Sequence, residues 1–335
     1  MSGRGSYLVA KVGWALLTLA LVITFNFVLF RILPGDPARS VAHDPRVSPA
    51  TVAALTARFG LDKPLFLNLE GGDPFDSQFV AYVGRLAAGD LGVSYNFRDR
   101  PVAEMLGIGL VNTLWLVVPA QVLAILIGVA AGLVAAWRRG TPLDAGALTF
   151  GLVLWAVPTF FMGIILLFLG SAWFDLPTAG KGTIGAEYAS IWEELGDLVR
   201  HLFLPTLTFT LVLLGEYLLI MRSSVIEVFS EDYILTAKAK GLSTFRIIRD
   251  HALRNAMLPM VTLIAINLGF IVSGAIQIES VFSWPGLGEL TVNAVRKRDY
   301  PVLQGAFLML AIAVVLANLA AELLYGWLDP RVREA

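Results

Sequence analysis

The chain has 335 residues, of which 57% are hydrophobic and 15% are charged, and its mean hydropathy is +0.73. Because charged residues alone make up about a quarter of an ordinary soluble domain, this composition excludes a soluble globular protein. The net charge of −1 points to no particular partner and gives no reason to expect a nucleic acid, and the absence of cysteine excludes disulfides and thiolate metal sites.

Six windows of the sequence are long and apolar enough to cross a bilayer, which takes roughly 20 mostly apolar residues. The windows are residues 9–32, 110–136, 145–171, 202–221, 257–280 and 303–328. Their uninterrupted apolarity favours helices over barrel strands, in which polarity alternates at every second residue. The first window is too long for a signal peptide and has no cleavage site, so we expect it to be retained. The sequence therefore predicts an all-α integral membrane protein with six transmembrane helices.

Basic residues in the short loops predict the orientation of these helices. Lysine and arginine are concentrated in the segments that would share a side with both termini, above all in residues 222–256. Cytoplasmic loops carry such an excess of positive charge, so both termini are predicted to be cytoplasmic. The run Arg296-Lys297-Arg298 lies on the opposite side and is an exception to the pattern.

The 33–109 segment between the first two windows is too long for a simple linker, and we predict that it forms an extracytoplasmic cap domain. Apolar spacing predicts one short helix near residues 49–59, ended by Gly60, and a second helix at 78–88 after a turn at 69–76. The cap either covers the outer mouth of the protein or contacts an incoming partner or substrate. The predicted divisions are residues 1–32 with the first helix, the 33–109 cap, and the 110–335 transmembrane core with its loop at 222–256.

A polar segment from Ser230 to Pro259 separates the fourth and fifth windows. Its helix-start signals are Ser230, Glu231 and Asp232, and its helix-stop signals are Lys238, Lys240 and Gly241. They predict a short helix over 231–240, and Ser243 is expected to cap a second helix that leads into the fifth span. A helix of this length is marginal alone in water, so it must pack on its own loop or on a partner.

Polar side chains within the windows are candidates for function, because they are costly in hydrocarbon unless they face protein or water. The candidates for a translocation pathway are Glu216, Asn267, Gln277 and Glu279. Hydrogen bonding between helices is the alternative, and Glu279 is near enough to the outer end of its window to reach the membrane interface. Trp284-Pro285-Gly286 follows at the outer face, as a membrane-interface anchor or as part of the outer mouth.

Small residues and prolines predict how the helices pack and bend. Gly128 and Gly132 form a G-x-x-x-G pair that predicts close helix packing, and Pro119 and Pro158 are expected to kink their helices.

The sequence contains no motif that supports catalytic chemistry. The sequence has no GxxxxGK[ST] phosphate loop, and its three histidines are too scattered for a metal or catalytic site.

Several strings of the chain, taken together, resemble the dipeptide, oligopeptide and nickel permease family of ABC importers. In the polar segment they are residues 231–233, 236–243, 251–255 and 258–259, and elsewhere they are 33–37, 60–65, 89–94, 112–114, 282–288, 298–301 and 328–331. The general importer loop reads Glu-Ala-Ala, three residues, then Gly. Here Leu235 and Thr236 take the first two positions, and only Ala237 and Gly241 match that pattern.

The resemblance implies a multi-pass permease subunit of the bacterial inner membrane. It implies pairing with a second homologous permease, docking of two cytosolic ATPases on a coupling helix, and delivery of substrate by an extracytoplasmic binding protein. The residues expected to contact the ATPase are Glu231, Asp232, Ala237, Lys238, Ala239, Lys240, Gly241 and Leu242. ATP and magnesium would be bound by the partner ATPases, with no cofactor and no catalytic site on this chain.

Peptide is the expected cargo, with nickel, glutathione and oligosaccharide as alternatives.

Two other functional classes are alternatives to an ABC-importer permease. An ion-coupled secondary transporter usually has repeated halves, and no internal repeat is visible in the sequence. An intramembrane enzyme needs a Ser/His pair, paired Asp or an H-E-x-x-H motif within the spans, and the windows contain none of these.

Overall fold

The computed structural model describes residues 2–32, 62–68, 73–97 and 100–328, without the side chains of residues 2–8, 32, 265, 268–274 and 321–328. This part of the chain is helical, and its one β-bridge is an isolated pairing of Val93 with Pro101. The helices are α1 (Ser2–Ile32), α2 (Gln78–Ala87), α3 (Val102–Trp137), α4 (Pro142–Ala156), α5 (Thr159–Phe174), α6 (Ile191–Val228), α7 (Asp232–Ala239), α8 (Thr244–Ile247), α9 (Leu253–Val281), α10 (Leu287–Lys297) and α11 (Tyr300–Leu328). The all-α prediction is confirmed for these residues.

Four helices in the described part of the chain are long and apolar enough to cross a membrane, or five if one bent pair forms a single span. The four are Val9–Arg31, Val102–Trp137, Ile191–Val228 and Tyr300–Ala320. Each contains most or all of a predicted window, and the helices around the second and fourth windows extend beyond them at both ends. The fifth window lies within α9, several of whose side chains are outside the described set. The count of six therefore stays a prediction.

The third window is not the single helix predicted for residues 145–171. It is broken into α4 and α5, which meet at an angle of 104° around Pro158. Proline has no N–H to continue a helix, and its ring disfavours a helical conformation at the residue before it. The expected kink at Pro158 is thus present as a full break, whereas Pro119 lies inside the continuous α3.

The centre of the bundle is the contact between α3 and α6. A Cβ atom added at Gly128 would lie 2.6 Å from Cβ of Tyr217, and one added at Gly132 would lie 2.6 Å from the carbonyl oxygen of Leu218. Distances this short are not found between real atoms, so only glycine permits the approach of these two backbones. The close packing predicted for the G-x-x-x-G pair is confirmed.

The predicted cap is described in part. Its second helix is confirmed as α2, which Ser77 caps by accepting a hydrogen bond from the N–H of Val80 at 3.2 Å. Phe79 and Tyr82 of α2 pack on Phe27 of α1, with ring centroids 5.2 and 5.5 Å apart. The helix predicted at 49–59 and its terminating Gly60 lie outside the described residues.

Hydrogen bonds gather the described loops at two ends of the bundle. At one end, Lys181 donates to the side chain of Asn112 at 2.8 Å, and Ser94 donates to Asp299 at 2.5 Å. At the other end, Arg222 donates twice to Asp144, at 2.6 and 2.9 Å. The 73–97, 175–190 and 282–299 segments therefore share one end, as the predicted alternation of loops requires. Which end faces the cytoplasm stays a prediction.

Candidate functional site

The short helix predicted in the polar segment is present as α7, one residue shorter at each end than 231–240. Its start differs from the prediction. Glu231 and not Ser230 occupies the N-cap position, without a side-chain capping bond, while the Ser230 hydroxyl donates to the carbonyl of Glu227 at 2.5 Å. The hydroxyl therefore serves the end of α6 instead of the start of α7.

Gly241 ends α7 as predicted. It has a left-handed φ of 77°, its N–H donates to the carbonyl of Lys238 at 2.9 Å, and the N–H of Leu242 donates to the carbonyl of Ala237 at 3.3 Å. This pair of bonds is a Schellman motif, which satisfies the last free carbonyls of a helix. The position favours glycine because the left-handed region is costly for other residues.

One side of α7 packs on its own loop. Ile234, Ala237, Ile247 and Ala252 form a small apolar core, hereafter the loop core, and each of these residues is at most 5% exposed. The side chain of Ala237 is thus used inside the loop in this conformation, and its predicted ATPase contact stays a prediction. Ala239 and Gly241 are exposed.

The exposed surface of the polar segment carries apolar and basic side chains. Leu235 of α7 is 68% exposed, and Phe245 of α8 is 57% exposed. Among the other predicted contact residues, Leu242 is partly buried, and the rest are exposed: Glu231, Asp232, Lys238 and Lys240. Sequence reasoning noted Leu235 only as a departure from the Glu-Ala-Ala loop pattern. Helical periodicity places it on a different face of the helix from Ile234 and Ala237, and this was a signal that it is exposed.

The polar segment is joined to both neighbouring long helices. The side-chain amide of Asn255 in α9 donates to the hydroxyl of Tyr233 in α7 at 2.6 Å. The ammonium of Lys238 lies 5.5 Å from the ring centroid of Phe229, at the end of α6. The expected second helix, α8, continues through a π-helical turn at Ile248–Ala252 into α9. A displacement of α7 would therefore be transmitted to α6 and α9 together.

Two of the four pathway candidates meet in the middle of the bundle. The amide of Asn267 donates to the carboxylate of Glu216 at 3.2 Å and to the hydroxyl of Tyr217 at 3.1 Å, and Gln121 donates to the same hydroxyl. These four residues, the midspan cluster, join α3, α6 and α9. Glu216 is partly exposed, and Oε1 of Gln121 is buried without a hydrogen-bond partner in the described structure. Sequence reasoning missed Gln121, although a glutamine in an apolar window was a visible signal.

The other two pathway candidates lie apart from the midspan cluster. Gln277 is exposed, and Glu279 is fully buried near the end of α9. One carboxylate oxygen of Glu279 accepts from Thr113 at 2.6 Å, and the other accepts from the N–H groups of Gly288 and Glu289 at 2.7 and 3.0 Å. A carboxylate there satisfies free N–H groups of α10 and interacts favourably with the helix dipole. Glu279 therefore neither reaches the membrane interface nor contacts a passing solute in this conformation.

Trp284-Pro285-Gly286 belongs to the same buried region. Trp284 is fully buried, so it is not an exposed interface anchor, and its indole N–H donates to the carbonyl of Asn112 at 2.9 Å. The side chain of Asn112 donates in turn to the carbonyl of Pro285 at 2.8 Å. We call Asn112, Thr113, Glu279, Trp284 and Gly288 the outer knot. Asn112 and Thr113 were quoted for the family resemblance, but their partners could not be read from the sequence.

In the described residues, no group of three or more His, Asp or Glu side chains could hold a metal ion. The structure consists of a helical membrane bundle, a polar cluster in its middle and a short exposed helix joined to two long helices. This arrangement defines the class of multi-pass helical membrane proteins.

Comparison with known proteins identifies the family. Residues 124–334 match the family described as binding-protein-dependent transport system inner membrane component. The di/tripeptide transport system permease protein DppB of Pseudomonas aeruginosa is 36% identical over 98% of each chain. The dipeptide permease DppB of Escherichia coli is 36% identical over 98% of this chain and 98% of its own length. The glutathione permease GsiC of the same organism is 35% identical over 98% of this chain and 99% of its own length. The chain therefore belongs to the ABC-importer permease family, in its dipeptide group.

A solved structure supports the fold. It is a chain of the MetNI methionine ABC transporter in inward-facing conformations, which superposes with a TM-score of 0.55 and 15% sequence identity. The match covers 68% of this chain and 97% of the MetNI chain. By its family and its apolar helices, the protein is a multi-pass protein of the bacterial inner membrane. Membership of this family implies in general a partner permease, ATPase subunits and a binding protein.

Proposed function

We propose that this chain forms half of the translocation pathway of an ABC importer for di- or oligopeptides. In this proposal it has six spans with both termini in the cytoplasm, a second homologous permease completes the pathway, and an extracytoplasmic binding protein delivers the peptide. Two cytosolic ATPases bind ATP and magnesium and dock on α7. The chain itself contributes no catalytic site and no cofactor.

One observation carries the proposal: α7 is packed on one side and exposed on the other. The loop core holds the helix in place, while Leu235 of α7 and Phe245 of α8 leave apolar surface uncovered and Lys238 and Lys240 are exposed at the end of α7. Exposed apolar side chains together with basic ones are typical of a surface that binds another protein. Closure of the ATPases would move α7 and, through its attachments, the long helices α6 and α9.

The midspan cluster supports the choice of cargo. Glu216 is a partly exposed carboxylate that accepts one described hydrogen bond, from Asn267. Ionisable groups in a span usually face a water-filled path. A carboxylate suits the ammonium group of a peptide, and an amide suits its backbone. The relatives named for di- and tripeptide or dipeptide transport and for glutathione, itself a small peptide, agree with this chemistry. Nickel and oligosaccharide remain alternatives for the test.

The ATPase-docking part of the proposal is tested with Leu235→Asp in the complete transporter reconstituted in vesicles. Replacing an exposed apolar contact with a charge weakens docking by about 1–3 kcal/mol, so we expect peptide uptake and peptide-stimulated ATPase activity to fall about tenfold or more. The chain itself should fold as before, because the side chain is exposed. Leu195→Asp, an exposed leucine of α6 outside the loop, is the matched control. Equal activity of Leu235→Asp and wild type would refute docking on α7.

The cargo is tested by uptake into the same vesicles with the binding protein present. A labelled dipeptide and glutathione are compared with nickel and an oligosaccharide. The proposal predicts saturable, ATP-dependent uptake of a peptide. Uptake of nickel or oligosaccharide alone would overturn the peptide assignment while leaving the importer mechanism intact.

A further inference from the structure

A cavity of about 270 Å³ lies at the outer junction of the cap with the bundle, between the end of α1, helix α2 and the first turns of α11. Its walls are held by direct contacts. Tyr82 of α2 stacks on Phe27 of α1, and the amide of Asn26 donates to the carbonyl of Gln304 in α11 at 3.0 Å. The cavity is therefore bounded by helices in direct contact, and its lining contains no residue of the outer knot.

Two arginines line this cavity, Arg31 at the end of α1 and Arg85 on α2. In the described structure neither guanidinium has a carboxylate within ion-pair distance, and the two are close enough for their charges to repel each other. Arg31 lies over the ring of Phe27, with its guanidinium carbon 5.4 Å from the centroid. Asp90, the carboxylate of the lining, accepts a hydrogen bond from the N–H of Gly92 at 2.8 Å. Two cations and one carboxylate line the cavity, and neither cation is in a described ion pair, so the cavity has positive charge available for an anion.

The position of the cavity identifies the source of the anion. Arg31 is the last residue of the apolar segment Val9–Arg31, whose side chains Leu17, Leu21 and Phe25 are exposed. The cavity thus begins where the exposed apolar surface of α1 ends, and the end of a spanning helix is where the phospholipid headgroups begin. The midspan cluster is carried by other helices, α3, α6 and α9. The cavity is therefore at the edge of the bundle and away from the proposed pathway.

We propose that this cavity binds the phosphate of an anionic phospholipid headgroup, held between Arg31 and Arg85. Tyrosines in the lining, Tyr82, Tyr95 and Tyr300, have the amphipathic rings typical of the membrane interface. Phe30 and Leu308 supply apolar surface beside them for the glycerol and the first carbons of an acyl chain. A bound headgroup neutralises the facing guanidinium groups and joins the cap helix α2 to α1. In the proposed topology the lipid comes from the extracytoplasmic leaflet.

The test is a binding measurement on the purified full chain, by native mass spectrometry in detergent with phosphatidylglycerol or phosphatidylcholine. We expect phosphatidylglycerol to bind at least tenfold more tightly than phosphatidylcholine, and Arg31→Gln and Arg85→Gln each to remove most of that preference. Arg296→Gln is the matched control, because it removes the same charge from an exposed position of α10 outside the cavity. Arg85 is also exposed, so its replacement keeps the test valid if Arg31→Gln impairs folding.

Competition with inorganic phosphate distinguishes a lipid from a free anion. The proposal predicts that millimolar phosphate displaces little phosphatidylglycerol, because the lipid adds apolar contacts to the same charge. Equal binding of the two lipids, or an unchanged preference in both arginine variants, would overturn the proposal. Phosphate that binds through the two arginines and excludes the lipid would overturn the lipid assignment. None of these results depends on the cargo or on which end faces the cytoplasm.

Discussion

The outer knot and α7 lie at opposite ends of the protein and are held in place by different interactions. In the outer knot, buried polar groups from α3, α9 and α10 satisfy one another, and both Glu279 and Trp284 are fully buried. In α7, a few small apolar side chains hold the helix, and Leu235 is left exposed. The knot has its partners within the chain, whereas α7 has surface left for another protein.

This difference has an energetic consequence. A buried carboxylate with three hydrogen-bond donors fixes one geometry, because each donor left without its acceptor costs about 1–3 kcal/mol. An exposed side chain away from caps and cores changes stability by about 0.5 kcal/mol or less. Substitutions in the knot should therefore affect folding, and substitutions on the exposed side of α7 should affect coupling.

The largest effect is expected for Glu279→Ala. The substitution leaves Thr113 and the first N–H groups of α10 without their acceptor inside the protein, so we expect a loss of about 3–5 kcal/mol of folding stability. Thermal unfolding of the purified chain measures it. Gln277→Ala is the control, since it changes an exposed polar residue two positions away on the same helix. If both variants unfold at the wild-type temperature, the knot is not a structural anchor.

A smaller effect on stability and a large effect on coupling are expected for Gly241→Val. A β-branched residue at a φ of 77° costs about 1–3 kcal/mol and should distort the end of α7. Peptide uptake per ATP hydrolysed should fall several-fold in the reconstituted transporter. Gly140→Val is the control. Gly140 has a φ of 79° and, like Gly241, open space around it, so this substitution introduces similar strain outside α7. Equal loss of coupling in the two variants would mean that strain alone, and not α7, is responsible.

The smallest effect is expected for Glu216→Gln. The amide keeps an oxygen for the hydrogen bond from Asn267 but removes the charge offered to a peptide ammonium group. We expect the apparent KM for peptide uptake to rise about three- to tenfold with little change in protein yield. Tyr217→Phe, which removes hydrogen bonds of the same cluster without changing its charge, is the comparison. A wild-type KM in Glu216→Gln would exclude the carboxylate from the pathway.

The features predicted correctly from the sequence depend on local rules. Long apolar runs indicate helices wherever they pack, Gly241 ends a helix by its own backbone conformation, and Gly128 and Gly132 lie at fixed helical spacing. These properties are determined by neighbouring residues. The membrane class, most helix positions and the approximate bounds of α7 follow from them.

The features that were missed depend on contacts between distant parts of the chain. Glu279 and Thr113 are separated by 166 positions, and Asn112 and Pro285 by 173 positions. Burial of Ala237 depends on packing against the turn at Ile248–Ala252, which no local signal specifies. The 104° bend at Pro158 also exceeds an ordinary proline kink. A single sequence indicates which polar residues need partners but not which partners they find.

The central claim is that the exposed surface of the polar segment, with Leu235 of α7 and Phe245 of α8, contacts the ATPase, and that the buried loop core does not. The chain contains no cysteine, so a single introduced cysteine reports one position without background. Cross-linking of Leu235→Cys, Phe245→Cys and Ala237→Cys to the ATPase subunit, within the assembled transporter, measures the contact directly. The account predicts strong cross-links at 235 and 245 and little or none at 237. Equal cross-linking at 237, or none at 235 and 245, would contradict it.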